Sequence, residues 1–186
     1  MGRWEPDAQG RLERAALELY LERGFDQTTV ADIAERAGLT ERTFFRHFAD
    51  KREVLFRGAE LAQSIAAALD EVPHSVSPLD AVADALESMS DFFDGRRPYS
   101  RQRQTVINAN SALQERELIK LASMAAMIGA ALRERGVAEP AASLTAEAGI
   151  AVFKVAFERW LDDKRERSLA THIRESLAEL RSVTAG

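Results

Sequence analysis

The chain of 186 residues carries a net charge of −5, with 46% apolar and 30% charged side chains, which is enough of both for a packed globule. The acidic balance excludes a protein that binds nucleic acid through bulk charge alone. No apolar run approaches the roughly 20 residues of a membrane span, and no apolar leader is present, so we expect a cytoplasmic protein without a membrane partner. Cysteine is absent, which excludes disulfides and thiolate metal sites, and we expect no cofactor.

Apolar residues recur at helical spacing along the chain, and no sustained two-residue alternation predicts a strand. The sequence therefore predicts an all-α fold of about nine helices. The first helix carries an apolar stripe that starts at Leu12 and is closed by Gly24. The second helix starts after Thr28 or Thr29, either of which can serve as its N-cap.

Capping signals predict the boundaries of the later helices. Thr40 has the position of an N-cap, and Asp50 followed by Glu53 has the spacing of a capping box that opens a helix of about 20 residues. Ser77 before Pro78 opens another helix. The other predicted boundaries are an end near 93 for that helix, a short helix ending near 108, and helices over about 111–135, 140–163 and from 168 onward.

The second and third helices form a helix-turn-helix candidate. Gly38 can take a positive φ and so reverse the chain in a tight turn, and Ala34 is small enough for the helices to cross closely. The predicted filling of the wedge between them is Ile33, Ala37, Leu39 and Phe44. The helix over about 41–48 would then expose a polar face, which in such a unit enters the major groove of DNA. An ordinary pair of helices with a solvated polar face is the alternative.

Two stretches carry a family resemblance. Residues 28–51, TTVADIAERAGLTERTFFRHFADK, resemble the signature of the TetR family of bacterial transcriptional regulators, and residues 16–25, ALELYLERGF, resemble the first helix of that family. The resemblance covers about residues 11–57. The stretch 103–120 resembles a large actinobacterial subgroup, some of whose members are linked to acyl-CoA or redox-cofactor metabolism.

The resemblance implies two domains. An N-terminal three-helix DNA-binding domain is expected over 1–50, linked by the helix 50–70. A C-terminal helical domain for ligand sensing and dimerisation is expected over 51–186.

Family positions imply roles for individual residues. Thr28 or Thr29 would contact a phosphate, and Lys51 would reach another. Arg42 and Thr43 stand where family members read base edges. Phe45 occupies a position that is often Tyr, so a hydroxyl that could reach a phosphate is missing there. The full predicted DNA-binding set is Thr28, Thr29, Thr40, Arg42, Thr43, Phe45, Arg46, His47 and Lys51.

A ligand pocket is expected among the helices of the C-terminal domain. Its candidates are apolar, and the methionines among them are adaptable enough to suit flexible ligands. Ordinary core packing is the alternative for each of them. The candidates are Leu61, Ile65, Met89, Phe92, Phe93, Met124, Met127, Ile128, Phe153, Phe157 and Trp160.

A homodimer is expected because one helix-turn-helix holds few contacts, and a twofold axis would match half-sites about 34–36 Å apart in a palindromic operator. The last two helices are the predicted interface, with small residues on one and a leucine-rich stripe on the other. Burial of that stripe in the core of the monomer is the alternative. The predicted interface residues are Ala148, Ala151, Leu169, Ile173, Leu177 and Leu180.

The predicted function is therefore that of a dimeric regulator of transcription, acting as a repressor that a small, largely apolar effector releases from double-stranded DNA. A helical interaction module without DNA binding is one alternative. An enzyme is the other, but His47, His74 and His172 lie far apart and no catalytic motif is present, so no catalytic residue or metal ligand is predicted.

Overall fold

The computed structural model describes residues 7–56 and 58–185, and every regular element in those residues is helical. The described α-helices are α1 (Ala8–Arg23), α2 (Val30–Arg36), α3 (Glu41–His47), α4 (Gly58–Glu71), α5 (Pro78–Glu87), α6 (Ser90–Asp94), α7 (Arg97–Asn108), α8 (Ser111–Glu134), α9 (Ala141–Asp162) and α10 (Leu169–Thr184). A single 3-10 turn, Glu53–Leu55, lies between α3 and α4. The all-α prediction is confirmed, and the helix predicted to end near 93 is divided into α5 and α6.

Short polar side chains cap the helices where the sequence predicts caps. Thr29, and not Thr28, caps α2, and Thr40 caps α3. Ser77 caps α5 and Ser168 caps α10 in the same way, each accepting a hydrogen bond from a backbone amide in the first turn. These bonds satisfy N–H groups that have no partner within the helix.

The predicted continuous helix from Asp50 to about residue 70 is wrong. The Asp50 carboxylate accepts hydrogen bonds from the amides of Arg52 and Glu53, at 2.7 and 3.3 Å, but the turn that follows ends at Leu55. Phe56 has the extended angles φ −122° and ψ 101°, which interrupt the helical path before α4. The Glu53 carboxylate also makes no capping box with Asp50, because it is bound by a distant arginine described below.

The described chain divides into two compact units. The first contains the described part of Met1–Arg57 together with Arg101–Leu118, and the second contains the described part of Gly58–Ser100 together with Ile119–Gly186. The functional boundary expected after residue 50 stays a prediction. The association of 101–118 with the N-terminal unit was not predicted from the sequence.

The first unit is built around the crossing of α1, α2 and α3. Leu12 and Ala16 of α1, Ile33 of α2 and Phe44 of α3 are all fully buried. Val54 of the 3-10 turn is buried with them. The core therefore fixes α3 from behind and leaves its opposite side open.

The second unit has a core formed by α4, α5, α8, α9 and α10. Gly149 of α9 allows a close approach to α5, because a Cβ atom there would lie 2.5 Å from Cγ1 of Val82. Trp160 is completely buried near the end of α9, and its indole N–H donates to the Asp94 carboxylate at 2.8 Å. Arg135 closes the end of α4 by donating to the carbonyl oxygens of Leu69 and Val72, both at 2.8 Å.

Among the described residues, no helix combines the length and the apolarity needed to cross a lipid bilayer. The same part of the chain contains no group of three or more acidic or histidine side chains able to hold a metal ion.

Candidate nucleic-acid interface

The turn between α2 and α3 is a tight reversal that depends on Gly38. Its φ is +65°, and two hydrogen bonds close the turn: Gly38 N–H to the Glu35 carbonyl at 2.9 Å, and Leu39 N–H to the Ala34 carbonyl at 2.8 Å. This pair of bonds is a Schellman arrangement. Arg11 of α1 donates to the carbonyl of Ala37 from outside the turn. A Cβ at position 38 would lie 2.9 Å from that guanidinium, which can move aside, so glycine is favoured here chiefly by the positive φ.

The start of α2 is stabilised by a reciprocal capping box. The Thr29 hydroxyl donates to the Asp32 carboxylate at 2.6 Å, the Thr29 amide donates to it at 2.8 Å, and the Asp32 amide donates back to the hydroxyl at 3.1 Å. These bonds from Thr29, with Arg23 at 2.8 Å, lower the pKa of Asp32 to about 2. Thr29 is exposed, but a phosphate contact from its hydroxyl would compete with the capping box.

The start of α3 is capped by Thr40. Its side-chain oxygen accepts from the Thr43 amide at 3.2 Å, and the two hydroxyl oxygens lie 3.1 Å apart. Thr40 is exposed and Thr43 is half-buried beside it. The two hydroxyls therefore form one small polar patch at the leading end of α3.

The two sides of α3 differ sharply. Phe44 is fully buried, and its ring centre lies 5.5 Å from that of Phe48. The side chains exposed on the opposite side are Glu41, Arg42, Phe45, Arg46 and His47. In the part of the chain that the structure describes, Arg42 and Arg46 have no hydrogen bond or ion pair. Two guanidinium groups are thus available for an external partner.

Phe45 is unusual because a large apolar ring is 57% exposed in the middle of this polar surface. It stands edge-on to Phe44, with ring centres 5.4 Å apart. More than half of the side chain is open to solvent, and this apolar surface can contact a thymine methyl group or a deoxyribose.

The side chain of Thr28 is not exposed to make the phosphate contact predicted for it. Its side chain is completely buried, and its hydroxyl donates to the carbonyl oxygen of Gly24 at 2.9 Å. Thr28 and Thr29 are both plausible N-caps in the sequence, and only the path of the backbone distinguishes them.

Lys51 also lies differently from its predicted role. Its ammonium donates to the carbonyl oxygens of Phe25 and Thr28, both at 2.8 Å. The side chain is half-buried, whereas Arg42 and Arg46 are exposed. The Lys51 ammonium is therefore bound within its own unit, and its contact with a phosphate stays a prediction.

A cluster that the sequence did not predict lies in the first unit, and we call it the arginine brace: Glu53, Phe56, Arg103 and Arg116. Arg116 makes two bonds to the Glu53 carboxylate, and Arg103 Nε donates to the Leu55 carbonyl at 2.7 Å. Both guanidiniums lie over the Phe56 ring, at 5.0 and 5.2 Å from its centre. The brace ties 101–118 to the segment that follows α3. Its only sequence signal is the presence of arginines in 103–120.

The predicted pocket residues lie in the second unit, and most of them meet there. Ile65, Met124, Ile128, Phe153 and Trp160 are buried in one cluster. The half-buried residues packed against it are Leu61, Met89, Phe93, Met127 and Phe157. They therefore form a packed core, with Phe93, Phe157 and Trp160 in edge or tilted ring contact at 5.3–6.4 Å.

Phe92 is the exception among the pocket candidates. It is 47% exposed, and the Arg96 guanidinium covers its ring at 4.8 Å. Successive residues of a short helix point in different directions, so Phe93 enters the core while Phe92 leaves it. Phe92 therefore does not join the buried cluster of the other candidates, and its role in a pocket stays a prediction.

The leucine-rich stripe of α10 is core, which corrects the predicted interface. Leu169 and Ile173 are fully buried, Leu177 is 8% exposed, and Leu180 packs against the same cluster. The stripe is covered by α9 and α5 of the same chain. Leu169, Ile173 and Leu177 are therefore covered within the monomer, whereas Leu180 is only half-buried.

A different apolar stripe is open on α9. Leu144 is 66% exposed and Val155 is 48% exposed. Between them, Ala148 is half-buried and Ala151 is exposed. The spacing of these four residues puts them on one side of the helix. The two alanines, with half-buried Leu180 of α10, are the predicted interface residues that keep accessible surface.

A polar recess of about 430 Å³ lies near the end of α9, lined by Glu158, Arg159, Asp162, Asp163, Arg167 and His172. Three of its charged or titratable side chains, Asp163, Arg167 and His172, contact one another. Asp163 accepts from Arg167 at 2.8 Å and contacts Nε2 of His172 at 3.0 Å, and Arg167 also donates to Glu175 at 2.6 Å. The recess does not have the apolar character expected of the effector pocket.

Comparison with protein families gives two matches that together cover most of the chain. Residues 13–57 match the family described as bacterial regulatory proteins, tetR family. Residues 76–185 match the family described as the MftR C-terminal domain. The second match includes the stretch 103–120.

Two curated relatives illustrate the similarity. The HTH-type transcriptional regulator TcmR of Streptomyces glaucescens is 41% identical over 80 residues, which are 42% of this chain and 35% of TcmR. The chain thus matches about a third of the length of that relative. The putative mycofactocin biosynthesis transcriptional regulator MftR of Mycobacterium tuberculosis is 27% identical over 171 residues, covering 88% of this chain and 85% of MftR.

The fold also matches solved structures. The transcriptional regulator FadR from Bacillus subtilis, solved in complex with stearoyl-CoA, aligns with a TM-score of 0.62 over 91% of this chain and 95% of that one. The sequence identity is 16%, so the likeness concerns the fold alone.

Proposed function

Because the chain belongs to the TetR family of bacterial regulatory proteins, we propose that it is a dimeric, DNA-binding repressor that a small, largely apolar ligand releases from a palindromic operator. The proposal rests on the exposed side of α3. Arg42 and Arg46 are unpaired there among the described residues, on a helix fixed by buried Phe44. A protein of this kind works in the cytoplasm, where the DNA is.

Each exposed residue of α3 has a chemical role in this proposal. Arg42 donates two hydrogen bonds to guanine, a contact worth about 1–3 kcal/mol of discrimination between base pairs. Phe45 packs on a thymine methyl or a sugar. Thr43 stands beside Arg42 as the second candidate for a contact with a base edge. Phosphate contacts, which add affinity without sequence preference, come from the remaining polar residues of the surface: Thr29, Thr40, Arg46 and His47.

The dimer is proposed to form through the open stripe of α9. A second copy would cover Leu144 and Val155, which are otherwise large apolar side chains in water. Ala148 and Ala151 between them have side chains small enough for two helices to approach closely. A twofold axis would then present two α3 helices to two half-sites about 34–36 Å apart, or to another spacing if the DNA deforms.

The effector is proposed to enter the apolar cluster of the second unit. Met124 and Met127 of α8 can repack around a flexible ligand more readily than branched side chains. Phe93, Phe157 and Trp160 supply apolar surface next to them. The stearoyl-CoA complex of FadR makes an acyl-CoA the first ligand to try, because the two proteins share a fold.

The signal is proposed to travel along the helices that the two units share. The chain passes from one unit to the other within α7 and within α8, so both helices belong partly to each. Their first-unit portions carry Arg103 and Arg116 of the arginine brace. A ligand acts in this way only if it binds one arrangement of the helices more tightly than the other.

The test is binding to fluorescent duplexes from the promoter beside the gene for this protein, read by anisotropy against a random duplex of equal length. We expect sequence-specific binding that weakens when stearoyl-CoA is added and not when CoA alone is added. Equal affinity for promoter and random DNA would refute the proposal that the protein is a sequence-specific regulator. Specific binding that no acyl-CoA alters would leave the DNA-binding part standing and refute this effector class.

A further inference from the structure

All the contacts of the Lys51 side chain lie within its own unit. Its Nζ atom donates to the carbonyl oxygens of Phe25 and Thr28, each at 2.8 Å, and lies 4.2 Å from the centre of the Phe25 ring. A lysine ammonium has three N–H donors, and two of them are used here. The face of an aromatic ring adds a further attraction for the charge.

The backbone of Lys51 is fixed as well. The Tyr20 hydroxyl donates to the Lys51 carbonyl at 2.6 Å, and the Tyr20 ring meets that of Phe25 edge-on at 5.2 Å. Burial raises the pKa of the Tyr20 phenol, so the hydroxyl keeps its proton and remains a donor over the physiological range. Lys51 is therefore attached through its carbonyl to α1, and through its ammonium to the segment between α1 and α2.

The Thr28 carbonyl, one of the two that Lys51 holds, lies at the start of α2, the first helix of the helix-turn-helix. Thr28 directly precedes Thr29, the N-cap of α2. The Thr28 hydroxyl is anchored to the Gly24 carbonyl, so the side chain is fixed on one side and the carbonyl on the other. Loss of the lysine would free one of these two attachments and let the start of α2 shift.

We infer that Lys51 is a positioning residue for DNA binding and not a phosphate contact: it orients α2, and through the Gly38 turn α3, by holding the Phe25 and Thr28 carbonyls. The inference rests on the proposed DNA-binding function. A phosphate contact would require the ammonium to leave both carbonyls and the ring. The two roles differ in a measurable way, because each phosphate contact releases about one counterion from DNA.

The first experiment compares Lys51→Met with Arg46→Met, since each removes one positive charge from the first unit. Affinity for the promoter duplex is measured across salt concentrations, and thermal unfolding is measured without DNA. Arg46→Met is expected to reduce the slope of log affinity against log salt by about one unit and to leave the melting temperature unchanged.

Lys51→Met is expected to keep the wild-type salt slope, to bind the promoter about tenfold more weakly, and to melt about 4 °C lower or more. Lys51→Arg retains donors for both carbonyls and should recover most of the affinity. A loss of one unit of slope in Lys51→Met, with an unchanged melting temperature, would overturn the inference.

A second measurement uses the unmodified protein and so does not depend on the folding of a variant. Lysine acetylation by an N-hydroxysuccinimide ester is followed by mass spectrometry, with exposed Lys154 and Lys164 as internal references. Lys51 should react several-fold more slowly than both, with or without DNA. Rapid reaction that only DNA suppresses would overturn the inference.

Failure of the proposed function has a different signature. If the chain does not bind DNA, the wild type and Arg46→Met would both lack a salt-dependent complex. The melting temperatures and the labelling rates would still decide whether Lys51 holds the two carbonyls.

Discussion

The Arg116 guanidinium and the Glu53 carboxylate form a two-point ion pair, with nitrogen–oxygen distances of 2.5 and 2.7 Å. Their side chains are 25% and 27% exposed, so the pair is more shielded from water than a surface salt bridge. The hydrogen bonds that Arg116 donates to the Glu53 carboxylate raise the pKa of Arg116 above its ordinary value. The pair joins α8 to the 3-10 turn within the first unit.

Breaking this pair should destabilise the protein. We expect Arg116→Met and Glu53→Gln each to lower the free energy of unfolding by about 1–3 kcal/mol. In each variant the remaining partner keeps a partly buried charge with no opposite charge beside it. A double-mutant cycle from urea unfolding should give a coupling of about 1 kcal/mol.

The matched control is the exposed pair Arg133 and Glu139, whose side chains are 47% and 46% exposed. Its coupling should be smaller, because solvent screens an exposed ion pair. Equal coupling in the two cycles would mean that shielding of the brace contributes nothing.

Arg42 should determine sequence preference. We expect Arg42→Ala to cost about 1–3 kcal/mol on the promoter duplex and much less on random DNA, because a base contact is lost. Arg46→Ala should weaken both duplexes by similar factors. Arg174→Ala, at an exposed site in α10, serves as the control and should change neither. A uniform loss from Arg42→Ala would show that it contacts phosphate only.

The dimer should depend on α9 and not on the stripe of α10. We expect Leu144→Glu or Val155→Glu to give monomers in light scattering at micromolar concentration, with little change in the melting temperature of the fold. Ile173→Ala should instead lower the free energy of unfolding by about 2–5 kcal/mol, because it leaves a cavity in the core. A wild-type monomer, or dimers that survive both charged variants, would contradict the proposed interface.

The capping box of α2 should produce a pH-dependent contribution to stability. The pKa of Asp32 is lowered from 3.8 to about 2, chiefly by its hydrogen bonds from Thr29. The folded state therefore gains stability at pH values above 3.8, and this gain is lost as the pH falls through about 2. The melting-temperature difference between wild type and Asp32→Asn should be constant near neutral pH and shrink between about pH 4 and pH 2. If the difference in melting temperature persisted at the lowest pH, the stabilisation by Asp32 would come from the packing of its side chain and not from its negative charge.

The sequence could predict those parts of the fold that depend on interactions between residues close together in the chain. The caps at Thr40 and Ser77 and the turn at Gly38 involve atoms within a few residues, so the sequence contains both partners of each interaction. Glu53 and Lys51 bind partners 63 and 23 or more positions away, which no local pattern specifies. Helical periodicity likewise predicts a buried side of α10, but not whether its own chain or a second copy buries it.

In the candidate site, too, the features that depend on neighbouring residues could be predicted and the others could not. The exposed side of α3 could be predicted because a buried Phe44 at its centre fixes which residues face outward. The choice between Thr28 and Thr29 could not, because both have the chemistry of an N-cap and they differ only in backbone direction.

The membership of 101–118 in the first unit restricts how this protein can be recombined with its relatives. A chimera joined near residue 57 would transfer the DNA-reading helices without Arg103 and Arg116, and so would leave Glu53 and the Phe56 ring without their partners. A DNA-binding unit that is moved into a relative would have to include two separate stretches of chain, the N-terminal one up to residue 57 and 101–118. Exchange of regulators between promoters is therefore easier here through changes on the surface of α3 than through exchange of the whole N-terminal segment.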